Sequence, residues 1–361
     1  MRWLRPAAFA GILAAAVLGY RLPEMLSDGA GSLDCLVHGD SRMALLAVGD
    51  VGQPPGFTGL FDTQLSVAAA LDLEHRQRPV DALVLLGDNF PPRGLVREEM
   101  PRRIRENLVR PYCRFLALNG SRAALVATAC GLSPELRRPV PLVAVLGDRD
   151  TREPESAAIE QREVSAFVSN WRMSRDLADV TELPGGVSLI HFDSVGLRAG
   201  EDIAPLVDAL RASRGPWRIL AGHHPVLEGG DVQEDAYRAS LLRALERAGV
   251  RAHLLLAGHE HNLQVGVTGL ESLPLQAVAG SGAGARPARS EILGREFLRV
   301  RPGYARVDLA GTADTQRLVV SLSSATEYPF QFWRAPVVET CWRVTLAGDV
   351  AATGSRSTPQ P

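Results

Sequence analysis

The chain has 361 residues, 46% hydrophobic and 22% charged, enough for one large domain or two ordinary ones around a real core. A formal net charge of −2 offers no basic face or stripe, so nucleic acid is excluded as an expected partner. The 4 cysteines show no CxxC spacing, which removes the usual zinc-ribbon and dithiol redox motifs.

Arg2 and Arg5 precede an uncharged stretch from Pro6 to Tyr20, closed by Arg21. As a helix this stretch rises only about 22 Å, short of a roughly 30 Å hydrocarbon core. With small residues near Ala14 to Gly19, residues 1–22 read as a secretory signal peptide or an N-terminal membrane anchor. The body is therefore expected to be exported, periplasmic or secreted, with membrane association through residues 3–20 if the segment is retained. Residues 23–42 read as a linker. From residue 43 the chain alternates strand-like runs (Met43–Val48, Ala82–Leu86, Leu142–Leu146, Arg218–Ala221, Leu254–Ala257) with helix-like stretches. The predicted helices are Asp62–Gln77, Arg97–Arg110, Ile159–Asp176, Asp202–Arg214 and Ala236–Ala248, with Pro79, Pro111, Pro216 and Gly249 as stop signals near four ends. The segment 95–140 carries Cys113 and Cys130, whose bridge would contribute on the order of 3 kcal/mol; buried free thiols are the alternative. After Leu273 come short β-prone runs at Leu275–Ala279, Tyr304–Leu309, Leu318–Leu322 and Cys341–Thr345. The glycine-rich Gly280–Gly284 is expected as a tight loop near any crevice, or as a plain turn. Residues 43–347 thus read as an α/β domain with a strand-rich last third, and residues 348–361 as a disordered tail.

Each early strand ends in a short acidic or histidine-bearing motif. These are Gly49-Asp50-Val51-Gly52, Gly87-Asp88-Asn89-Phe90, Gly147-Asp148-Arg149-Asp150, Gly222-His223-His224-Pro225 and Gly258-His259-Glu260-His261. In open α/β sheets, ligands gather outside the carboxyl ends of strands, so these loops are placed to converge on one crevice. A lone Gly-Asp after a strand is commonly a turn. Three carboxylates packed together would repel and be driven to protonate, and a bound cation removes that penalty. His259 and His261 point the same way if their backbone is extended. His38, His75, His191 and His253 lie outside such contexts and read as structural or surface residues.

In this order the motifs resemble the calcineurin-like metallophosphoesterase superfamily. Gly87–Phe90, Ala221–Pro225, Ala257–Gln264 and Ser281–Gly284 are similar to the small purple, tartrate-resistant acid phosphatases, over about residues 43–310. The resemblance implies a four-layer αββα sandwich with two mixed β-sheets and two divalent or trivalent metal ions (Fe, Mn or Zn) at its edge. Asp50, Asp88 and His261 would hold one ion; Asp88, as the bridge, would share the second with Asp148, His223 and His259. A hydroxide between them would attack phosphorus in line. The implied activity is hydrolysis of phosphomonoesters, on a small-molecule phosphoester or a phosphoprotein. The alternatives are a phosphodiesterase or nucleotide hydrolase, and a degenerate protein that binds metal or a phosphorylated ligand with little turnover.

Four positions depart from that pattern. Pro91 stands where purple phosphatases place an iron-binding tyrosine, and Gly52 where other members supply a histidine. The first ion is therefore expected to bind more weakly. Asp148-Arg149 replaces Asn-His; arginine stays protonated and cannot serve as an acid, though it can grip phosphate oxygens. His224 is then the candidate for protonating the leaving group, and Asn89, Arg149 and His224 are expected to face the substrate.

Overall fold

The computed structural model describes residues 41–52, 62–227, 232–288, 294–325 and 336–355. The expected signal or anchor at 1–22, nearly all of the linker at 23–42, Cys35 and His38 lie outside the described residues. Among the described residues no helix is long and apolar enough to cross a membrane.

One sheet contains β1 (Ser41–Val48), β2 (Ala82–Leu85), β3 (Leu142–Ala144), β4 (Trp171–Arg172), β12 (Gly303–Ala310), β13 (Arg317–Ser324), β14 (Val337–Thr345) and β15 (Val350–Ser355), in the order β15-β14-β13-β12-β1-β2-β3-β4. The other contains β5 (Ala178–Leu183), β6 (Val187–Phe192), β7 (Trp217–Ala221), β8 (Leu254–Ala257), β9 (Leu263–Leu270), β10 (Leu273–Ala279) and β11 (Arg295–Arg299), in the order β11-β9-β10-β8-β7-β6-β5. Both are mixed. β1 through β4 run parallel while β12 to β15 are antiparallel, and β6, β7, β8 and β10 run parallel between antiparallel edges.

The period-two alternation of side chains builds the layers. Along β1, Met43, Leu45 and Ala47 face the other sheet and pack with Leu189, Ile219, Leu254 and Leu275. Ala44, Leu46 and Val48 face outward onto α1 (Thr63–Gln77) and α2 (Met100–Ile104), through Val67, Leu71 and Ile104. Beyond the second sheet, Ile190, Leu220 and Leu255 pack on α6 (Ala204–Ala212) and α7 (Val232–Ala248), through Leu206, Leu210 and Leu241. Three apolar interfaces between helices, sheet, sheet and helices give the αββα sandwich. Strands buried on both faces read as continuous apolar runs for this reason.

Several elements differ from expectation. Helix formation over Ile159–Asp176 stops early: α4 spans Ser156–Glu163, and Trp171–Arg172 becomes β4, paired with β3. The Trp171 indole N–H donates to the Glu160 carbonyl at 3.1 Å, so tertiary pairing overrides helical propensity there. The helix over Arg97–Arg110 is interrupted by a π-helical turn at Arg105–Val109 before α3 (Arg110–Tyr112). Pro111 lacks an N–H and its ring would press on the Asn107 carbonyl; the wider turn relieves this, and Gln64 Nε2 donates to that carbonyl at 3.1 Å. The tail is not wholly disordered. Gly348, at φ 94°, turns the chain, and Val350–Ser355 pairs as β15 on β14; residues beyond Ser355 lie outside the described set. The domain therefore runs from at least Ser41 to Ser355. Cys113 and Cys130 form a disulfide across a separation of 17 residues, and Cys341 is also disulfide-bonded, so the free-thiol alternative falls for these three.

Candidate metal centre

The five motif loops leave β1, β2, β3, β7 and β8 at their carboxyl ends and meet at one edge of the sandwich. Asp50 (φ 54°), Asp88 (φ 54°) and His259 (φ 66°) all adopt the left-handed backbone that side chains rarely take. Such strain persists where surrounding structure over-determines it, typically at functional sites. The glycine before Asp88 has a second reason: at φ 87°, a Cβ on Gly87 would lie 2.6 Å from His223 Nδ1. The loops approach backbone to backbone so that their side chains can share one space.

Within that space, His223 Nε2 is 3.2 Å from Asp148 Oδ1, 3.3 Å from His259 Nδ1 and 3.8 Å from Asp88 Oδ1. His259 Nδ1 is 3.4 Å from Asp148 Oδ1, and the His259 backbone N–H donates to Asp50 Oδ2 at 2.8 Å. His261 Nε2 lies 3.2 Å from Asp50 Oδ1, a buried oxygen that has no hydrogen bond among the described residues. His223 Nδ1 sits 2.8 Å from the Leu86 carbonyl, which can only accept; that nitrogen carries a proton, and Nε2 is free to coordinate. Potential ligand atoms fall into two groups, each within 4.8 Å: Asp148, His223, His224 and His259, and Asp50, Asp88 and His223. These oxygen and imidazole donors fit divalent transition ions.

Electrostatics agree. Burial raises the Asp88 pKa; His223 opposes this while Asp50 and Asp148 add to it. Burial works against a charged His223, yet Asp88, Asp148 and Asp50 outweigh it and push its pKa up to about 10. Burial also acts to raise Asp148, but hydrogen bonds and charge from His223 and His259 hold it far below the usual carboxylate range. Without metal ions, the carboxylates are held together by positive charge on the protein itself, the protonated His223 ring foremost. Cations take over that role when they displace the protons.

All six expected ligands, Asp50, Asp88, Asp148, His223, His259 and His261, meet here. Arg149 is present too, but turned onto a carboxylate. Its backbone N–H donates to Asp88 Oδ1 at 2.9 Å and its Nε lies 3.1 Å from Asp88 Oδ2. Arg152 Nη2 is 3.4 Å from Asp148 Oδ2. His224 is buried, with its ring 4.6 Å from that of His259, and burial followed by the charges of His223 and His259 pushes its pKa far down.

Asn89 requires correction. Expected to face substrate, it is fully buried, and its amide donates to the Val145 carbonyl at 2.9 Å and to Asp150 Oδ2 at 3.2 Å. Its work is to brace the loops from behind. Asp150 is the centre of that brace, accepting backbone N–H groups of Asn89, Phe90 and Gly147, each at 3.0 Å. Burial and the neighbouring Asp88 push its pKa up to about 7. Sequence reasoning gave Asp150 no role, although it closes the Gly-Asp-Arg-Asp motif. Ser194, whose hydroxyl meets both His223 and His224, carried no signal, because the strand before it (β6) was not anticipated. His75, His191 and His253 are buried away from the crevice; His75 Nδ1 accepts from Val80 N–H at 3.1 Å and His253 Nδ1 from Arg218 N–H at 3.2 Å.

A family model described as calcineurin-like phosphoesterase matches residues 43–263, the stretch that supplies every one of these ligands. The chain belongs to that family. Calcineurin-like phosphoesterases are hydrolytic and use a dinuclear metal centre, so this chain is a phosphoester hydrolase in general type. No curated protein sequence matches it. Solved structures share the fold at low identity. GAP50, the anchor in the inner membrane complex of Plasmodium, is 15% identical with a TM-score of 0.54, the match covering 83% of this chain and 90% of that one. Purple acid phosphatase PPD1 from yellow lupin (Lupinus luteus) seeds is 13% identical with a TM-score of 0.53, covering 81% of this chain and 54% of the lupin chain. PhoD is 11% identical with a TM-score of 0.55, covering 90% and 74%.

Proposed function

We propose that this calcineurin-like phosphoesterase is a metal-dependent phosphomonoesterase acting on a small phosphorylated molecule or a phosphoprotein. The observation that carries the reading is the meeting of Asp148, His223 and His259 within 3.4 Å of one another, beside Asp88 and the Asp50–His261 pair at 3.2 Å. Asp50, Asp88 and His261 would hold one ion, and Asp88, Asp148, His223 and His259 the other. When bound, the ions supply what two-metal sites supply: a nucleophile derived from water and charge stabilisation for in-line displacement at phosphorus.

The chain's own residues do the rest. The Leu86 carbonyl fixes the coordinating tautomer of His223. Asp150 and Asn89 lock the second and third motif loops together, which keeps Asp88 and Asp148 beside the same His223 ring. Arg149, with 28% of its side chain exposed, can turn from Asp88 to the phosphoryl oxygens and hold them through its guanidinium. Leaving-group protonation falls to water, since Arg149 cannot give up its proton and burial beside His223 and His259 keeps His224 neutral.

A second reading has one observation in its favour. Arg149 already engages both oxygens of Asp88, so a cation stands against the bridging carboxylate without any metal. A member built this way can bind metal or a phosphorylated ligand with little turnover. The Plasmodium protein of the same fold is described as an anchor. Metal quantification alongside release of p-nitrophenol from p-nitrophenyl phosphate and from its bis-ester separates the readings. Monoester hydrolysis dependent on Fe, Mn or Zn, and abolished in Asp88→Ala and His259→Ala, is the expected result. Faster cleavage of the bis-ester would mean a phosphodiesterase. Failure to cleave either ester from acid to alkaline pH would leave the binder.

A further inference from the structure

We propose that Ser194 is a positioning residue that fixes His224 as the neutral tautomer with its proton on Nε2, so that His224 is a hydrogen-bond donor to an oxygen of the bound phosphate ester, neither a metal ligand nor an acid. The role toward substrate rests on the phosphomonoesterase reading; the tautomer does not.

The tautomer follows from a count of donors and lone pairs at the Ser194 hydroxyl. A serine hydroxyl has one proton to give and two lone pairs. Ser194 Oγ has three partners: the backbone N–H of His223 at 3.0 Å, the backbone N–H of His224 at 3.0 Å, and His224 Nδ1 at 2.9 Å. The backbone groups can only donate, so they use both lone pairs. The hydroxyl proton is left for Nδ1, which must be the bare nitrogen of the ring. A neutral imidazole carries one N–H, and here it lies on Nε2. With a proton on Nδ1, whether in the other tautomer or in imidazolium, three donors would crowd one oxygen and the serine proton would go unused. Ser194 and His224 are 0% and 3% exposed, so water does not repair that mismatch.

The same count decides between roles that distance leaves open. A potential ligand atom of His224 lies within 4.8 Å of those of Asp148, His223 and His259, which by proximity alone makes it a fourth ligand. Coordination needs a lone pair, and the bare nitrogen already receives the Ser194 proton. His223 shows the opposite arrangement: a carbonyl, from Leu86, holds a proton on its Nδ1, so Nε2 is the nitrogen left to coordinate once a metal displaces its proton. Two adjacent histidines are thus set in opposite tautomers, one by an acceptor and one by a donor. Both supports are held. Asp193 caps α5 (Ser194–Arg198) by accepting from Val195 N–H at 2.8 Å and Gly196 N–H at 3.0 Å, and the Tyr237 hydroxyl donates to the His224 carbonyl at 2.9 Å. No proton leaves Nε2 in this role; that would make imidazolate.

The test is long-range ¹H–¹⁵N NMR of histidine-labelled protein, zinc-loaded and metal-free. A bare Nδ1 and a protonated Nε2 on His224 in both states, with the Nε2–H resonance moving as inorganic phosphate is added, is the expected result. A protonated Nδ1, or a zinc-bound nitrogen on His224, would overturn the tautomer; an unmoved Nε2–H would overturn the contact with phosphate. In kinetics, Ser194→Ala should lower kcat/KM for p-nitrophenyl phosphate about tenfold with metal content unchanged, and Ser194→Thr, which keeps the hydroxyl, should restore it. Unchanged kcat/KM in a folded Ser194→Ala, or no rescue by threonine, would refute the positioning role. If the wild-type protein cleaves no ester, the phosphomonoesterase reading fails while the NMR still decides the tautomer.

Discussion

Replacing Gly52 by histidine, the residue other metallophosphoesterases place there, is expected to destabilise the fold without giving the Asp50–His261 ion a further ligand. A Cβ on residue 52 would sit 1.8 Å from Pro91 Cδ, 2.7 Å from Pro91 Cγ and 2.7 Å from the Asn89 carbonyl oxygen. None of these can yield easily: two belong to a rigid ring and the third is backbone, and buried Arg103 donates to the Pro91 carbonyl. Overpacking costs about 1–3 kcal/mol, and contacts this short argue for the upper end. Gly52 and Pro91, which read as separate losses in the sequence, are therefore one packing event. Pro91→Ala removes Cγ and Cδ and leaves only the Asn89 approach, at the loss of about 0.4–1 kcal/mol from a less restricted unfolded chain. The double variant should therefore recover about 1–2 kcal/mol relative to additivity, and should bind Mn²⁺ more tightly than the wild type. Urea unfolding of the four proteins measures the coupling, and Mn²⁺ titration measures the ligand. A single Gly52→His variant as stable as the wild type, or two substitutions additive within about 0.5 kcal/mol, would refute the reasoning.

Arg149→Ala frees Asp88 Oδ2 from a competing guanidinium, while the backbone N–H of residue 149 still donates to Oδ1, and should tighten Mn²⁺ binding by about tenfold; equal affinity in a calorimetric titration would show that the Arg149 side chain does not compete. Asp150→Ala strips the acceptor from three buried backbone N–H groups and should cost at least about 3 kcal/mol in urea unfolding, so a loss under about 1 kcal/mol would contradict the bracing role. Metal removal should expose a pH dependence. In the chelated protein the His223 pKa of about 10 exceeds its ordinary 6.5, so the stability from its protonated ring is fully present below about pH 6.5 and lost as pH rises through about 10. Zinc must displace that proton, so its affinity should rise across the same window. A flat stability profile for the chelated protein would remove His223 as the linked group.

By itself the sequence determined the candidate ligand set, its order and the strand ends that carry it. Apolar runs ending in Gly-Asp, Gly-His-His and Gly-His-Glu-His are local patterns, and they report local backbone reliably. The same logic misplaced β4 and β15, where pairing with β3 and β14 outweighed local composition. Tertiary structure alone decided what each side chain meets. Asn89 sits inside a motif that reads as functional, yet the acceptors at Val145 and Asp150 draw its amide into the wall. The tautomer of His223 is set by Leu86, 137 residues away, and the Asp50 carboxylate is fixed by the backbone of His259, 209 residues away. A donor's partner and the volume a neighbour excludes are properties of packed space. Residues brought together from such separations leave no periodic trace along the chain, which is why the ligands were legible and their environment was not.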